Sequence, residues 1–132
     1  AFDAGILVGE VLDVMDNEGP VAVLDVSATC HMPDILEAPY RPALRDECLG
    51  GQAVRLGGPS CLAGDAIGTY GFDALPQAGD RLAFLDQAHY SMVKTTTFNG
   101  VRLPALAIWN SDTDALRMVR TFDYADFEGR LS

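Results

Sequence analysis

The sequence is poor in positive charge. Nine Lys and Arg residues stand against nineteen Asp and Glu residues, which gives a formal net charge of −10 at pH 7. A nucleic-acid or anionic-membrane partner requires a cluster of positive charge facing its phosphates. The composition therefore argues against both partners. An acidic surface suits a polycationic ligand, but many acidic proteins bind none, so charge alone identifies no ligand.

Cysteine is also scarce. Cys30, Cys48 and Cys61 are odd in number and form no Cys-x-x-Cys pair. This pattern argues against a disulfide framework and against a zinc ribbon. It predicts a protein of the reducing cytoplasm.

Long apolar runs are missing as well. No run approaches the ~20 residues of a membrane-spanning helix, and no basic segment precedes an apolar stretch at the N-terminus. The sequence begins at Ala1 rather than Met and enters the apolar pattern Gly5-Ile6-Leu7-Val8-Gly9 almost at once. We therefore expect a piece of a longer protein, with no membrane partner.

The sequence does contain a regular series of short β-strand patterns. Its 132 residues, 48% of them hydrophobic, suffice for one domain with one core. The predicted strands, bounded by Gly, Pro, Asn or Asp, are 6–14, 21–26, 52–56, 66–70, 81–85, 105–109 and 116–120. The turn residues 16–20 predict a hairpin between the first two strands. The pattern predicts an all-β fold, a Greek-key barrel or a sandwich, with helical turns only within 89–97 and at 124–130, the latter capped by Asp123.

Residues 30–51 show no clean period and contain three prolines, so they are expected to run over the surface. This segment includes Cys30-His31-Met32-Pro33-Asp34, which suggests either a metal site with Asp86 and His89 as distant partners or a rigid docking loop. No spacing matches a known zinc pattern, so no metal is predicted.

The glycine- and proline-rich segment from Gly57 to Asp65 predicts a tight loop that presents the Cys61 thiol. A thiol held in this way can donate a proton or act as a nucleophile if neighbouring groups set its pKa near the working pH. The alternative is an inert, half-buried cysteine beside a turn. The loop lacks the Gly-Lys-Ser/Thr ending of a Walker A phosphate loop, so nucleotide binding is discarded.

A second segment, residues 86–100, places polar, aromatic and hydroxyl groups directly after a strand, where functional sites often gather. Tyr90 can donate its phenol proton to an anionic ligand. Lys94 is the only lysine, and it is either a solvated charge or, with desolvation or a cationic neighbour, a Schiff-base amine. His89 is either a hydrogen-bonded structural residue or a catalyst.

Together these segments resemble the C-terminal domain of the fold-type III, alanine-racemase-like decarboxylases, which act on ornithine, diaminopimelate, arginine and carboxynorspermidine. The ordered set that carries the resemblance is Gly58-Pro59-Ser60-Cys61, Gly64-Asp65, Gly79-Asp80, Tyr90 and Phe98-Asn99-Gly100. The segments most similar to the carboxynorspermidine branch are His31-Met32-Pro33-Asp34, Tyr40-Arg41-Pro42, Cys61-Leu62-Ala63-Gly64-Asp65 and 94–100.

The resemblance implies that residues 1–132 form a single C-terminal β-domain and that an N-terminal α/β barrel, outside this chain, carries pyridoxal phosphate on its own lysine. It implies a homodimer in which Cys61 protonates the substrate α-carbon in the partner subunit's site. Tyr90 would bind the cofactor phosphate and Phe98 would form an aromatic wall near the substrate. Asp65 would shape the loop or face the substrate amines.

One residue departs from the ornithine and diaminopimelate branches, where an acidic residue follows the cysteine and Leu62 stands here. As a hypothesis resting on this one residue, an apolar wall here suits the longer secondary-amine chain of carboxynorspermidine. The resemblance to the carboxynorspermidine branch implies a carboxynorspermidine or carboxyspermidine decarboxylase of polyamine biosynthesis. The isolated domain is expected to be inactive. The alternatives are a decarboxylase of diaminopimelate, ornithine or arginine, and an inactive decarboxylase-like domain that binds a partner.

Overall fold

The computed structural model describes residues 4–131 and is dominated by β-strands. The strands in these residues are β1 (Ile6–Asp16), β2 (Pro20–Leu24), β3 (Gln52–Gly57), β4 (Ala66–Phe72), β5 (Arg81–Leu85), β6 (Leu106–Asn110) and β7 (Ala115–Arg120). The short helices are α1 (Ala28–His31), α2 (Asp34–Glu37), α3 (Tyr90–Val93) and α4 (Tyr124–Glu128), with a 3₁₀ turn at Phe98–Gly100. Each predicted strand is present, with bounds shifted by at most two residues. The helical turns at 89–97 and 124–130 are confirmed, but the expectation that no other helices occur is wrong, because α1 and α2 lie between β2 and β3.

β1 organises the main sheet because it pairs with two strands along its length. Residues 6–10 pair with β5 and residues 11–16 pair with β2, both antiparallel, and the second register is interrupted between Val11 and Asp13. A strand with such a bulge bends. The resulting five-stranded sheet, in the order β4-β3-β2-β1-β5, curls into a half-barrel, which confirms the predicted all-β class.

The hairpin from β1 to β2 turns where the sequence predicts it. Asp16 pairs with Pro20, and Glu18 and Gly19 both have positive φ angles, of 53° and 113°. Gly19 takes this conformation without a steric penalty, whereas Glu18 accepts some strain.

β2 and β3 pair in parallel, with Val21 opposite Arg55. Parallel neighbours cannot be joined by a tight turn, so residues 25–51 form a crossover that contains α1 and α2. The expectation that residues 30–51 run over the surface holds for most of residues 36–50, which are exposed. It is wrong for the start of the segment and for Pro42, because Cys30, Met32 and Pro42 are fully buried. The two helices have four residues each, too few for a hydrophobic period to be visible in the sequence.

The core lies on the inner face of the curled sheet and includes part of the crossover. Its buried hydrophobic residues are Val11, Ala22, Leu24, Val26, Ala28, Met32, Ile35, Leu44, Val54, Leu56, Ile67, Tyr70 and Phe84. Tyr70 donates a hydrogen bond from its hydroxyl to the Pro42 carbonyl oxygen at 2.7 Å, and its ring stands edge-on to Phe84 at 6.1 Å. The Arg41 guanidinium lies 4.3 Å from the centre of the same ring and pairs with Glu47. Tyr70 therefore attaches the crossover to β4.

β6 and β7 form a separate two-stranded sheet, whose side chains, except that of Leu106, are exposed. α4 follows and is capped as predicted: the Asp123 carboxylate accepts from the Ala125 amide at 2.9 Å, and the Asp126 carboxylate accepts from the Asp123 amide at 2.9 Å. None of the helices in residues 4–131 has the length and apolar character needed to span a membrane.

Candidate functional site

Cys61 lies on the connection between β3 and β4, and its side chain is exposed. Two backbone hydrogen bonds close this connection: the Gly58 amide donates to the Asp65 carbonyl oxygen at 2.9 Å, and the Asp65 amide donates to the Leu62 carbonyl oxygen at 2.9 Å. These two hydrogen bonds restrict the backbone of the loop to few conformations. We define residues 58–65 as the Cys61 loop.

Asp65 holds this loop in place through hydrogen bonds of its side chain. Its buried carboxylate accepts from the Ser27 hydroxyl at 3.0 and 2.9 Å, from the Thr29 amide at 3.2 Å and from the Ser60 amide at 3.0 Å. Gly58 is needed here because a Cβ at that position would clash with the same carboxylate. A buried carboxylate with several donors stabilises the arrangement that supplies them. A direct contact between Asp65 and substrate stays a prediction.

Leu62 follows Cys61 and is 43% exposed. It lines a shallow groove along the Cys61 loop together with Arg55 and the edge of the β1–β2 turn at Asn17. The structure therefore places an apolar side chain on the surface immediately beside the thiol.

Tyr90 begins α3, where it lies beside a charged cluster, and its side chain is 60% exposed. The Lys94 ammonium lies 4.8 Å from the centre of the Tyr90 ring and donates to Glu37 Oε2 at 2.9 Å and to Asp34 Oδ1 at 3.0 Å. The hydrogen bonds with Glu37 and Asp34 hold the pKa of Lys94 above its ordinary value of 10.5. A protonated amine is no nucleophile, which argues against Lys94 as a Schiff-base residue.

Phe98 occupies the 3₁₀ turn and is 45% exposed. Two hydrogen bonds attach this turn to α1: the Cys30 thiol donates to the Phe98 carbonyl oxygen at 3.5 Å, and the Thr96 amide donates to the Cys30 carbonyl oxygen at 2.9 Å. The Phe98 ring lines an open groove that continues to Phe127 of α4.

His31 is buried and structural. Its Nδ1 accepts from the Ser27 amide at 3.1 Å, and its Nε2 lies 2.9 Å from the Arg102 carbonyl oxygen. In residues 4–131 no three His, Cys, Asp or Glu side chains are grouped closely enough to hold a metal ion. His89 lies 3.3 Å from Asp86, with which it forms an ion pair when protonated.

The sequence-predicted site residues do not share one cavity within the described chain. The groove at Leu62 and Asp65 and the groove at Phe98 have no lining residue in common. What links them is α1, whose N-terminus contacts Asp65 and whose Cys30 contacts the Phe98 turn. Sequence reasoning missed Ser27 and α1; the available signal was a serine three residues before Cys30, the spacing of a helix N-cap.

The chain belongs to the pyridoxal-dependent decarboxylase family. Residues 3–88 match the model described as the C-terminal sheet domain of these enzymes. The resemblance inferred from the ordered motifs is thereby confirmed.

Within this family the similarity extends over nearly the whole chain. Carboxyaminopropylagmatine decarboxylase of Synechocystis is 49% identical over 135 residues, covering 99% of this chain and 35% of the relative. Carboxynorspermidine/carboxyspermidine decarboxylase of Campylobacter jejuni is 40% identical over 143 residues, covering 98% of this chain and 37% of the relative. The chain thus spans about a third of the length of the curated relatives it matches.

Solved structures give the same picture. The structure of Campylobacter jejuni carboxynorspermidine decarboxylase complexed with norspermidine superposes with a TM-score of 0.91 at 38% identity, covering 98% of this chain and 39% of that chain. Lysine decarboxylase from Selenomonas ruminantium superposes with a TM-score of 0.64 at 25% identity, covering 74% of this chain and 27% of that chain.

The described residues fit a peripheral contact to pyridoxal phosphate but not its covalent attachment. Tyr90 offers an exposed phenol whose hydroxyl can donate a hydrogen bond to a phosphate oxygen. Lys94 itself is neutralised by two carboxylates. Lys94 therefore does not offer the free amine that a Schiff base requires.

We predict that protonation of His31 loosens the start of α1. Burial lowers the pKa of His31 below its ordinary value of 6.5. The unfolded state therefore binds more protons than the folded state below pH 6.5, so stability decreases as the pH falls through this range. Backbone hydrogen exchange of the peptide covering 27–31, corrected for intrinsic rates, should show less protection at about pH 5.5 than at about pH 7.5.

The control for this prediction is His31→Asn, which keeps an acceptor near the position of Nδ1 but does not titrate. Protection in this variant should be independent of pH over the same range. Equal pH dependence in the two proteins would show that another group is responsible.

Proposed function

We propose that this chain is the C-terminal β-domain of a pyridoxal-phosphate-dependent decarboxylase that acts on carboxynorspermidine or carboxyspermidine. The observation that carries the proposal is the exposed Cys61 thiol on a loop fixed by a buried carboxylate. The relatives named above support the reaction and the class of substrate.

In this reaction the bond between the substrate α-carbon and its carboxylate breaks, carbon dioxide leaves, and the α-carbon takes a proton in its place. Pyridoxal phosphate, when bound, supplies the electron sink for the pair left behind. We assign the proton donor to the Cys61 thiol, which acts as a general acid and then recovers its proton from solvent. Asp65 supports this role by holding the loop, and Phe98 is assigned to an aromatic wall near the substrate.

The proposal places Cys61 and Tyr90 in different active sites of a homodimer. Cys61 lies on the connection between β3 and β4, whereas Tyr90 begins α3, and we assign Cys61 to the partner subunit's site and Tyr90 to the cofactor phosphate of its own barrel. The free thiols of all three cysteines support a reducing, cytoplasmic location.

A second candidate substrate is carboxyaminopropylagmatine, favoured by the 49% identity to the Synechocystis decarboxylase. The two substrate types differ at the far end, which carries an amine in one and a guanidinium in the other. Comparison of kcat/KM on the two compounds, and on ornithine, arginine and diaminopimelate, decides between them. A full-length protein that turns over none of these and lacks a cofactor lysine would instead be an inactive decarboxylase-like binding protein.

The first functional prediction concerns the proton donor. In the full-length enzyme, Cys61→Ala should lower kcat by about 10²- to 10⁴-fold, the usual contribution of a positioned general acid. In deuterated water it should also scramble the configuration of the deuterium added at the α-carbon. Cys48→Ala removes another thiol that is not fully buried and should change neither quantity. Unchanged stereochemistry in Cys61→Ala would refute the assignment.

The second concerns the cofactor. Tyr90→Phe removes only a hydroxyl, so it should weaken retention of pyridoxal phosphate by about tenfold or more, the effect of losing one hydrogen bond to a charged group. Cofactor loss during dialysis, followed by absorbance, measures this. Tyr124→Phe, at another exposed tyrosine, is the matched control. If both variants retain the cofactor equally, the phosphate contact lies elsewhere.

The third concerns specificity. Leu62→Asp places a carboxylate beside Cys61, where it should attract the terminal ammonium of a short substrate. The ratio of kcat/KM for ornithine to that for carboxynorspermidine should rise by about tenfold, which corresponds to about 1.4 kcal/mol. Leu49→Asp adds the same charge at a leucine that is 85% exposed and should leave the ratio unchanged. An unchanged ratio in Leu62→Asp would remove Leu62 from the specificity determinants.

A further inference from the structure

Ser27, the N-cap residue of α1, lies at the centre of the hydrogen-bond network that supports the Cys61 loop. Ser27 is fully buried, and its hydroxyl accepts from the Cys30 amide at 3.1 Å. The same hydroxyl donates to both oxygens of the Asp65 carboxylate, at 3.0 and 2.9 Å. The Ser27 amide in turn donates to His31 Nδ1 at 3.1 Å. The hydroxyl and the amide of Ser27 thus both form hydrogen bonds, to α1 and to Asp65.

Asp65 transmits this arrangement to the thiol. The same carboxylate that accepts from Ser27 also accepts from the Ser60 amide at 3.0 Å, and Ser60 is the residue directly before Cys61. A change in the direction of the Asp65 carboxylate must therefore move the backbone that carries the thiol. The Asp65 carboxylate, which accepts from the Ser27 hydroxyl on one side and from the Ser60 amide on the other, is therefore all that separates the helix cap from the residue next to Cys61.

We propose that Ser27 is a positioning residue, whose hydroxyl, acting through Asp65, sets the direction in which Cys61 offers its proton. This inference rests on the proposed function, because it assumes that Cys61 is the proton donor. Proton transfer depends steeply on geometry, and a displacement of about 1 Å can reduce a rate by about 10²-fold. A hydroxyl remote from the substrate can therefore control the rate without touching it.

Thr29 provides a matched control on the same helix. Its side-chain oxygen is buried and has no hydrogen-bond partner within residues 4–131. Only its backbone amide reaches Asp65, at 3.2 Å, and a substitution of the side chain keeps that amide. Thr29→Val thus deletes a neighbouring buried hydroxyl that does not contact the carboxylate, whereas Ser27→Ala deletes the one that does.

The test uses the full-length enzyme loaded with pyridoxal phosphate. Ser27→Ala should lower kcat by about tenfold or more while KM changes by less than about twofold, since the geometry of proton transfer is altered and binding is not. In deuterated water the stereochemical purity of the product should fall in the same variant. Thr29→Val should match the parent enzyme in both measurements. If Ser27→Ala and Thr29→Val behave alike, the proposal is overturned.

A double-mutant cycle tests the route through Asp65. Ser27→Ala and Asp65→Asn should each impair the stereochemistry, and the double variant should be no worse than Asp65→Asn alone, because coupled residues are not additive. Additive effects would overturn the route. If Ser27→Ala does not accumulate, Asp65→Asn is compared with Thr29→Val by the same measurements, and equal behaviour again counts against the proposal.

The alkylation rate of Cys61 separates this inference from the proposed function. Iodoacetamide labelling, resolved by peptide mass spectrometry, should change by about threefold or more at Cys61 in Ser27→Ala and stay constant at Cys48, because only the first thiol lies on the affected loop. A changed rate together with a stereochemically normal Cys61→Ala enzyme would refute the role of Cys61 as acid but keep the positioning by Ser27. An unchanged rate would refute the positioning.

Discussion

The buried carboxylate of Asp65 is the interaction on which the arrangement of this domain's candidate site depends. It is mostly shielded from water, and the donors that reach it come from Ser27, Thr29 and Ser60 rather than from a cation. Such a group is tolerated only where its hydrogen bonds are satisfied. Satisfying them requires the start of α1 and the Cys61 loop to meet, so the position of each constrains the other.

The strands were predictable from the sequence because their signals are local. β-branched residues between Gly, Pro, Asn and Asp turns located each strand of the described chain within two residues of its observed ends. Strand pairing is not local. Nothing near Val21 indicates that its parallel partner is Arg55, because the partner is set by how residues 25–51 fold into the core.

Some residues of the candidate site could likewise be predicted from the sequence, and others could not. Cys61, Tyr90 and Phe98 stand out because their residue types and loop context carry chemistry or match a family motif. Ser27 could not be identified as the partner of Asp65, because thirty-eight positions separate them and the contact exists only once the crossover is buried. Local sequence also left Asp65 between two roles, and the structure favours the loop-shaping role through its bonds within the chain.

Exposure explains why this domain presents its groups without enclosing them. The Cys61 thiol, the Tyr90 phenol and the Phe98 ring all face outward from a core that is closed beneath them. A general acid works best where water is excluded, since solvent would otherwise compete for the proton and weaken the electrostatic interactions. Under the proposed function, the walls that exclude water come from the part of the full-length decarboxylase that this domain does not include. Cys61 then has to be held in position before the rest of the site assembles around it, and the hydrogen bonds of Asp65 to the Cys61 loop provide this.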